Sequence, residues 1–236
     1  MDEIRKSIRE VIADFQTLPR RNLTRRDTSI PVLPSDLNKV IALIGMRRTG
    51  KTCLLQQIFQ DLETERGIGR SQIIYVNFED DRLNGMKSDQ LRLITDTHAE
   101  MFPAQSGGPR FLFLDEIQAV YGWEPFVRRL VDQGDFRIFL TGSSSKMLST
   151  EAASSLRGRG LSFEVSPFSF QEYLRGLGIE VPERPDSKQT ALLKNRFRQY
   201  LSAGGFPETI GVEEELRIRI LQEYVLLAIH RDMVER

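Results

Sequence analysis

A short apolar segment that ends in glycine and leads into a glycine-lysine-threonine sequence constrains the fold of this chain most strongly. Residues 40–44 have the length and composition of a strand that is buried on both faces. Residues 45–52 fit the pattern G-x-x-x-x-G-K-[S/T]. An amphipathic helix is predicted from about residue 51 to residue 66, and its apolar face comprises Leu54, Leu55, Ile58, Phe59 and Leu62. A strand, a glycine-containing turn and a helix in this order predict a phosphate-binding loop.

The loop offers the groups that nucleotide phosphates require. Its glycines permit positive φ and a close approach of backbone N–H groups to phosphate oxygens, and the N-terminus of the following helix adds its dipole. Lys51 is predicted to reach the β- and γ-phosphates, and the Thr52 hydroxyl to bind Mg²⁺. We therefore predict ATP and Mg²⁺ as cofactors. The predicted nucleotide contacts are Gly45, Met46, Arg47, Arg48, Thr49, Gly50, Lys51, Thr52, Cys53 and Ser143.

Two carboxylates follow another apolar segment. Residues 111–114 read Phe-Leu-Phe-Leu, and Asp115 and Glu116 come next. Asp115 is predicted to orient the metal with Thr52, and Glu116 to polarise the attacking water. The predicted catalytic residues are Glu116, Lys51 and Arg159. The alternative interpretation of the acidic pair is a solvated or capping turn.

The rhythm of the apolar segments predicts the fold class. Further short segments at 73–76, 137–140 and 161–165 alternate with helical patterns, which is typical of right-handed βαβ units in a parallel sheet. The segment at 73–76 falls between the loop and the acidic pair along the chain. We predict an α/β P-loop NTPase, a three-layer sandwich with a parallel central sheet of the additional-strand, AAA+-like type, followed by a small helical region. No Asn-Lys-x-Asp motif is present, which argues against a GTPase.

The predicted organisation has three segments. Residues 1–34 form an amphipathic helix and a basic arm, residues 35–168 form the ATPase core, and residues 169–236 form a helical lid or the start of a C-terminal region. The last helical pattern reaches Arg236 without a C-cap glycine, so we expect the chain to end in mid-element. An exposed helical face over 212–236 would then favour dimerisation or aggregation.

Polar residues after the segment at 137–140 are candidates for sensing the γ-phosphate. Thr141 or Ser143 is predicted to hydrogen-bond the phosphate or the water, and the alternative is a serine-rich loop that caps a helix near 146–149. Arg157 and Arg159 are candidates for an arginine finger that acts in cis or from a neighbouring copy, and we favour Arg159. A structural role is the alternative for both arginines.

Composition limits the partners and the compartment. Lys+Arg and Asp+Glu are both 33, so the formal net charge is zero and a globally basic nucleic-acid coat is excluded. A local cluster of arginines could still bind DNA, and the alternative is a solvated loop; the cluster comprises Arg20, Arg21, Arg25 and Arg26. No apolar run approaches the roughly 18 residues of a membrane span, and we expect no membrane contact and a cytoplasmic protein.

The single cysteine and the two histidines suggest no further metal site. One cysteine excludes an intramolecular disulfide and a multi-cysteine zinc site. Cys53 is either a reactive thiol at a helix N-terminus or a small buried residue that packs the helix on the sheet, and we favour packing. His98 and His230 have no partner pattern and are predicted to serve packing or to lie at the surface.

Six motifs occur in an order that resembles the predicted AAA-type ATPases of archaea and bacteria. They are residues 45–52, 112–118 (LFLDEIQ), 140–145 (LTGSSS), 158–159 (GR), 166–174 (SPFSFQEYL) and 203–208 (AGGFPE). The resemblance runs from about residue 38 to the end, and the last two motifs are the more specific ones. It implies an AAA+-like core that binds and hydrolyses ATP with magnesium. Members of this family continue past the position of Arg236 into a C-terminal domain of unknown function, so we expect most of that part to be missing here.

Two functions compete on this reading. The first is an AAA+ ATPase that couples ATP binding and hydrolysis to conformational change, with a possible homo-oligomer in which the finger acts in trans. The second is a nucleotide-gated DNA-binding or protein-interaction module with little hydrolysis.

Overall fold

The computed structural model describes residues 2–34, 37–103, 110–143, 156 and 158–234 of the 236-residue chain. The strands are β1 (Val40–Gly45), β2 (Ile73–Asn77), β3 (Arg110–Asp115), β4 (Phe136–Ser143) and β5 (Gly160–Glu164). The α-helices in these residues are α1 (Asp2–Thr17), α2 (Lys51–Glu65), α3 (Arg92–Met101), α4 (Glu124–Gln133), α5 (Phe170–Gly176), α6 (Ser187–Ala203) and α7 (Glu214–Val234). The predicted helix at 146–149 and Arg157 lie outside the described residues.

All five strands form one parallel sheet in the order β2-β3-β4-β1-β5. β4 separates β1 from β3, with Phe139 paired with Ile41 on one side and with Phe113 on the other. The segment at 73–76, on which the additional-strand prediction relied, is β2 at the edge of the sheet, so the strand inserted between β1 and β3 is β4 instead. Because the strands are parallel, β1, β3 and β4 all present their carboxyl ends at the same edge. This confirms the predicted P-loop NTPase α/β fold.

Helices cover both faces of the sheet because alternate strand residues point to opposite sides. On one face Val40, Ala42 and Ile44 of β1 belong to a core that also contains apolar residues of α1, α3 and α4. On the other face Phe59 of α2 packs edge-on against Phe113, which stacks on Phe139 at 4.8 Å between ring centroids. Both faces of the central strands are therefore dry, which explains why these strands read as continuous apolar runs.

The chain divides into two compact units. The first contains the described residues within 1–22, 30–45 and 51–164, and the second contains those within 23–29, 46–50 and 165–236. The predicted segment boundaries after residues 34 and 168 stay predictions.

The second unit has a small aromatic core of its own. Phe170 of α5 packs against Phe197 and Tyr200 of α6, with ring centroids 5.0 and 5.6 Å apart. The Tyr200 hydroxyl donates to the Phe168 carbonyl at 2.8 Å, which links the last part of α6 to the segment just before α5. Gly205 lies so close to the Phe168 backbone that an added Cβ would stand 2.2 Å from that carbonyl oxygen. Only glycine fits there, which gives the AGGFPE motif a steric reason.

Helix α7 leaves apolar side chains exposed, as predicted for this segment. They are Leu216, Ile218, Val225, Leu226, Leu227 and Ile229. No helix among the described residues combines the length and the apolar character needed to cross a membrane.

Candidate functional site

Three hydroxyl groups converge on one buried carboxylate at the end of β3. Asp115 is fully buried. Its Oδ1 accepts hydrogen bonds from Thr52 Oγ1 at 3.2 Å and from Thr141 Oγ1 at 2.5 Å, and its Oδ2 accepts one from the Tyr75 hydroxyl at 3.0 Å. Thr52 lies in the first turn of α2, Thr141 on β4 and Tyr75 on β2. The sheet therefore brings together the two residues that the sequence predicted as metal ligands, Thr52 and Asp115.

Burial dominates the electrostatics of this carboxylate. Desolvation raises the pKa of Asp115 above its ordinary value, and the hydrogen bonds from Thr141, Thr52 and Tyr75 partly oppose that rise. Burial and the neighbouring Asp115 raise the pKa of the Tyr75 hydroxyl, so the tyrosine stays a hydrogen-bond donor at neutral pH. A buried carboxylate that is costly to ionise is best stabilised by a cation.

Glu116 leaves the strand with a sharp change of backbone direction. Its φ is 54°, in the left-handed region that non-glycine residues rarely adopt. Its N–H donates to Thr141 Oγ1 at 2.9 Å, so the Thr141 hydroxyl is engaged by both Asp115 and Glu116. Gln118 Nε2 donates to the carboxylate Oε2. Thr141 therefore hydrogen-bonds both residues of the acidic pair, which differs from the phosphate contact that we predicted for it.

Lys51 is buried and lies beside the acidic residue that follows β3. Its side chain is 4% exposed, and its Nζ is 3.9 Å from Glu116 Oε1. The same Nζ donates to the carbonyl of Gly45 at 3.2 Å. The structure thus brings together two of the three predicted catalytic residues, Lys51 and Glu116, within the first compact unit.

The loop after β1 has the backbone that the motif predicts. Gly45 has φ 154° and Gly50 has φ 91°, values that L-residues avoid. Arg48 also has positive φ, at 64°, and the sequence motif alone does not predict this. Thr49 is buried, and its hydroxyl donates to the Met46 carbonyl at 2.9 Å, whereas Met46, Arg47 and Arg48 are exposed.

Within the second unit, two arginine-glutamate pairs involve this loop. Arg48 pairs with Glu208, which also accepts a hydrogen bond from the Tyr224 hydroxyl, and the Arg48 guanidinium lies over the Tyr224 ring at 5.2 Å. The hydrogen bond from Tyr224 and the pairing with Arg48 lower the pKa of the Glu208 carboxyl.

The second pair is buried. Arg26 Nε donates to Glu172 Oε1 at 3.1 Å, and Arg26 Nη1 donates to the Thr49 carbonyl at 2.9 Å. Arg26 was one of the four arginines of the predicted DNA-binding cluster, but only 5% of its side chain is exposed. Sequence reasoning missed the role of Glu172 and Glu208 in the loop environment, and the only signal was their place in the SPFSFQEYL and AGGFPE motifs.

Arg159 lies away from the carboxyl edge of its own sheet. Its carbonyl accepts the N–H of Val40 at 2.8 Å, at the amino end of β1, and its guanidinium pairs with Asp132. The six-residue strand β1 therefore separates it from Gly45 by roughly 17 Å. A finger role in cis is wrong for Arg159, because parallel pairing of β5 with β1 fixes its position at the opposite edge.

Two further predicted contacts have different outcomes. Cys53 is exposed, so the prediction that it packs α2 on the sheet is wrong. The helix instead buries Leu54, Leu55, Ile58 and Phe59, and residue 53 lies outside that face. Ser143 is the last residue of β4, and its side chain lies outside what the structure describes.

Comparison with known proteins decides the family. A family model described as an AAA domain matches residues 37–174, which include β1 to β5 and the acidic pair. The chain belongs to this AAA domain family. AAA domains are P-loop domains of the ATPase type, so the match supports nucleotide binding by the loop and agrees with the resemblance noted from the motifs.

Relatives of this AAA domain include two uncharacterized proteins. One, from Methanocaldococcus jannaschii, is 38% identical over 229 residues, which is 96% of this chain and 48% of that protein. Another, from Haemophilus influenzae, is 34% identical over 189 residues, which is 79% of this chain and 44% of that protein. The chain thus spans about half the length of these relatives.

A solved structure supports the fold. PCH-2 of C. elegans superimposes with a TM-score of 0.51 at 13% sequence identity, covering 91% of this chain and 61% of that one. At this identity the likeness shows the AAA+ fold alone.

Proposed function

We propose that this AAA domain binds ATP together with Mg²⁺ and hydrolyses it to ADP and phosphate. The observation that carries the proposal is the hydrogen bond between the Thr52 hydroxyl and the buried carboxylate of Asp115. Thr52 directly follows Lys51 in the chain. A hydroxyl and a carboxylate from these two places are the protein ligands that a P-loop offers to magnesium.

The residues present fit a magnesium ion. Mg²⁺ prefers oxygen ligands and keeps several waters, so one or two protein oxygens are enough. No group of three or more His, Cys, Asp or Glu residues suited to a metal occurs in the part of the chain that the structure describes. This favours an ion shared with phosphate oxygens over a protein-only metal site. When bound, the ion would be held by Thr52 and Asp115 and would offset the negative charge of the phosphates.

Lys51 supplies the second element of the proposal. Its buried ammonium contacts the Gly45 carbonyl at 3.2 Å and lies 3.9 Å from the Glu116 carboxylate. A phosphate oxygen would offer a stronger, charge-assisted hydrogen bond. We infer that Lys51 turns from these contacts to the β- and γ-phosphates when nucleotide binds.

Glu116 is our proposed catalytic carboxylate. Its backbone has the left-handed conformation directly after the buried strand β3, and its N–H donates a hydrogen bond to the Thr141 hydroxyl. Gln118 donates to one of its carboxylate oxygens, and Lys51 Nζ lies 3.9 Å from the other. In this role Glu116 accepts a hydrogen bond from the attacking water and orients it in line with the γ-phosphate.

An arginine finger and the coupling to movement belong to the same proposal. Arg159 can serve a phosphate site only on another copy, so a finger role requires a homo-oligomer. We propose that hydrolysis is coupled to a conformational change, as the AAA type implies, and that the remaining half of the longer relatives supplies the effector.

Phosphate release tests the enzyme claim. Steady-state release with Mg²⁺ should exceed that of both Lys51→Ala and Glu116→Gln by at least about 100-fold, since electrostatic and general-base contributions are each worth about 10²–10⁴. The enzyme claim would be overturned if the wild-type chain released phosphate no faster than the two variants. Nucleotide binding without release would leave the binding half of the proposal intact.

A nucleotide-gated DNA contact is the second candidate, and one observation favours it. Arg20 and Arg21 remain exposed in the first unit, although Arg20 already pairs with Glu63. Two phosphate contacts give a salt slope of about −1.8 for duplex DNA. Titration at two salt concentrations tests this candidate, and binding that is absent or insensitive to salt excludes it.

A further inference from the structure

We propose that Arg26 is a positioning residue of the nucleotide-binding loop, which it holds through the Thr49 carbonyl while Glu172 balances its charge. The inference rests on the proposed function and extends the site to residues far away in the sequence. All contacts that carry it lie within the second compact unit.

All three nitrogens of the Arg26 guanidinium donate hydrogen bonds, each to a different residue. Nη1 donates to the Thr49 carbonyl at 2.9 Å, Nη2 to the Ser166 carbonyl at 2.5 Å, and Nε to Glu172 Oε1 at 3.1 Å. The Phe168 ring lies under the guanidinium carbon at 4.8 Å. A planar fork with fixed donors is needed for such an arrangement, and a lysine ammonium cannot reproduce it.

The Thr49 carbonyl belongs to the same peptide group as the N–H of Gly50, so a contact to this carbonyl also orients that amide. A trans peptide is planar, and its C=O and N–H bonds point in opposite directions. A donor that fixes the Thr49 oxygen therefore also fixes the N–H of Gly50, which is directed away from Arg26. Gly50 has φ 91° and directly precedes Lys51, so its flexible backbone gains most from such a restraint.

Glu172 makes a buried arginine tolerable here. An isolated buried charge is strongly unfavourable, whereas a paired and hydrogen-bonded one is accommodated. Besides Arg26, the Glu172 carboxylate accepts hydrogen bonds from the N–H of Asp27 at 2.7 Å and of Ser169 at 2.8 Å. The Glu172 side chain is 4% exposed. Each of its oxygens is engaged, so the carboxylate is fixed and in turn fixes the fork.

The chain offers a matched control for this role. Arg175 also links α5 to the segment around residue 26, because it donates to the Arg25 carbonyl and pairs with Asp27 at 2.9 Å. Its side chain is 41% exposed. Replacement of either arginine by lysine keeps the charge and removes the fork, but only at position 26 does the fork reach the loop carbonyl.

The test compares Arg26→Lys with Arg175→Lys by three measurements. Titration with a fluorescent ATP analogue in Mg²⁺ gives the nucleotide Kd, hydrogen-deuterium exchange follows the amides of residues 46–51, and thermal unfolding reports folding. We expect Arg26→Lys to unfold cooperatively, to raise the Kd about tenfold or more and to speed exchange in the loop. Arg175→Lys should leave the Kd within about twofold of the wild-type value.

If the wild-type chain binds nucleotide, three results would overturn the inference. One is an unchanged Kd for a folded Arg26→Lys, the second is a raised Kd without faster loop exchange, and the third is loss of the unfolding transition in Arg26→Lys, which would make Arg26 a folding residue only. A wild-type chain that binds no nucleotide would overturn the proposed function and this inference with it. Wild-type binding together with an unaffected Arg26→Lys would overturn the inference alone.

Discussion

Thr52 Oγ1 lies 3.2 Å from Asp115 Oδ1, so the first turn of α2 is joined to the end of β3 by a single hydrogen bond across 63 residues of sequence. The carboxylate is buried, and the hydroxyl is part of the segment that follows the glycine loop. This pair is the feature on which the proposed magnesium contact depends, and it leads to the first prediction.

Removal of the Thr52 hydroxyl should weaken nucleotide binding only when magnesium is present. We expect Thr52→Ala to raise the Kd for ATP about tenfold in Mg²⁺, because one hydrogen bond to a charged group is worth about 1.5–3 kcal/mol. Calorimetric titration in Mg²⁺ and in EDTA measures this. Thr52→Ser keeps a hydroxyl and serves as the control, and an equal loss in EDTA would contradict the metal contact.

Asp115 should limit the stability of the nucleotide-free protein. Because burial raises the pKa of Asp115, the folded state holds its proton more tightly than the unfolded state. The free energy of unfolding therefore falls as pH rises and the carboxyl group ionises. Asp115→Asn should therefore melt higher than the wild-type chain at pH 7, by about 2–4 °C for each kcal/mol regained. The difference should shrink near pH 4. Scanning calorimetry without nucleotide at both pH values measures it, and a lower melting temperature at pH 7 would contradict it.

Asp115→Asn keeps the size and shape of the side chain, so the comparison reports mainly the loss of the ionisable group. Thr52 and Thr141 both donate to Oδ1, so an asparagine carbonyl oxygen can take that place. Among the residues that the structure describes, the Tyr75 hydroxyl is the group that bonds Oδ2, and it can turn to accept from an amide. The same variant should lose the Mg²⁺-dependent part of ATP binding.

His98 should make the fold sensitive to mild acid. The side chain is buried, and burial followed by the nearby Arg110 lowers its pKa to about 4 from 6.5. The unfolded chain therefore takes up a proton below about pH 6.5 that the folded chain does not, so stability falls as pH decreases towards 4. Between pH 7 and pH 5 this amounts to about 2 kcal/mol.

Urea unfolding of His98→Gln measures that contribution. The variant should lose about 2 kcal/mol less than the wild-type chain between pH 7 and pH 5. His230→Gln, which replaces the chain's other histidine, should behave like the wild type. Equal pH dependence of all three proteins would show that His98 is not the group responsible.

The positive φ of Arg48 gives a test of the loop backbone. Arg48→Gly and Arg48→Ala both remove the pairing with Glu208 and the contact with Tyr224, but only alanine keeps the strain of φ 64°. Arg48→Gly should therefore be more stable than Arg48→Ala by about 1 kcal/mol. Urea unfolding compares them, and a more stable alanine variant would mean that residue 48 does not hold this conformation in solution.

Much of the fold could be predicted because local patterns are strong in this chain. Buried parallel strands read as apolar runs of four or five residues, and each ends where polar residues begin at one edge of the sheet. Strand β1, the glycine loop and α2 are contiguous, so the spacing of Gly45, Gly50 and Lys51 specified their relative placement. Asp115 was predictable because parallel strands deliver their last residues to the same edge.

Long-range pairs could not be predicted in the same way. Arg26 and Glu172 are 146 residues apart, and a single sequence carries no sign that they meet. Arg26 was therefore read as part of an exposed basic cluster. The sequence favours Arg159 over Arg157 as a finger, but the pairing of β5 with β1 decides its position. We predict from the sequence that Cys53 packs α2 on the sheet, but the helix turns residue 53 outward.

The decisive measurement is a titration of ATP against the wild-type chain and against Lys51→Ala, side by side in Mg²⁺. It tests whether the loop after β1 and the buried Lys51 ammonium bind nucleotide phosphates. We predict saturable wild-type binding and a Kd about 10- to 100-fold higher in the variant, with the fold retained by circular dichroism. Wild-type binding that is undetectable, or that is the same in Lys51→Ala, would contradict the account.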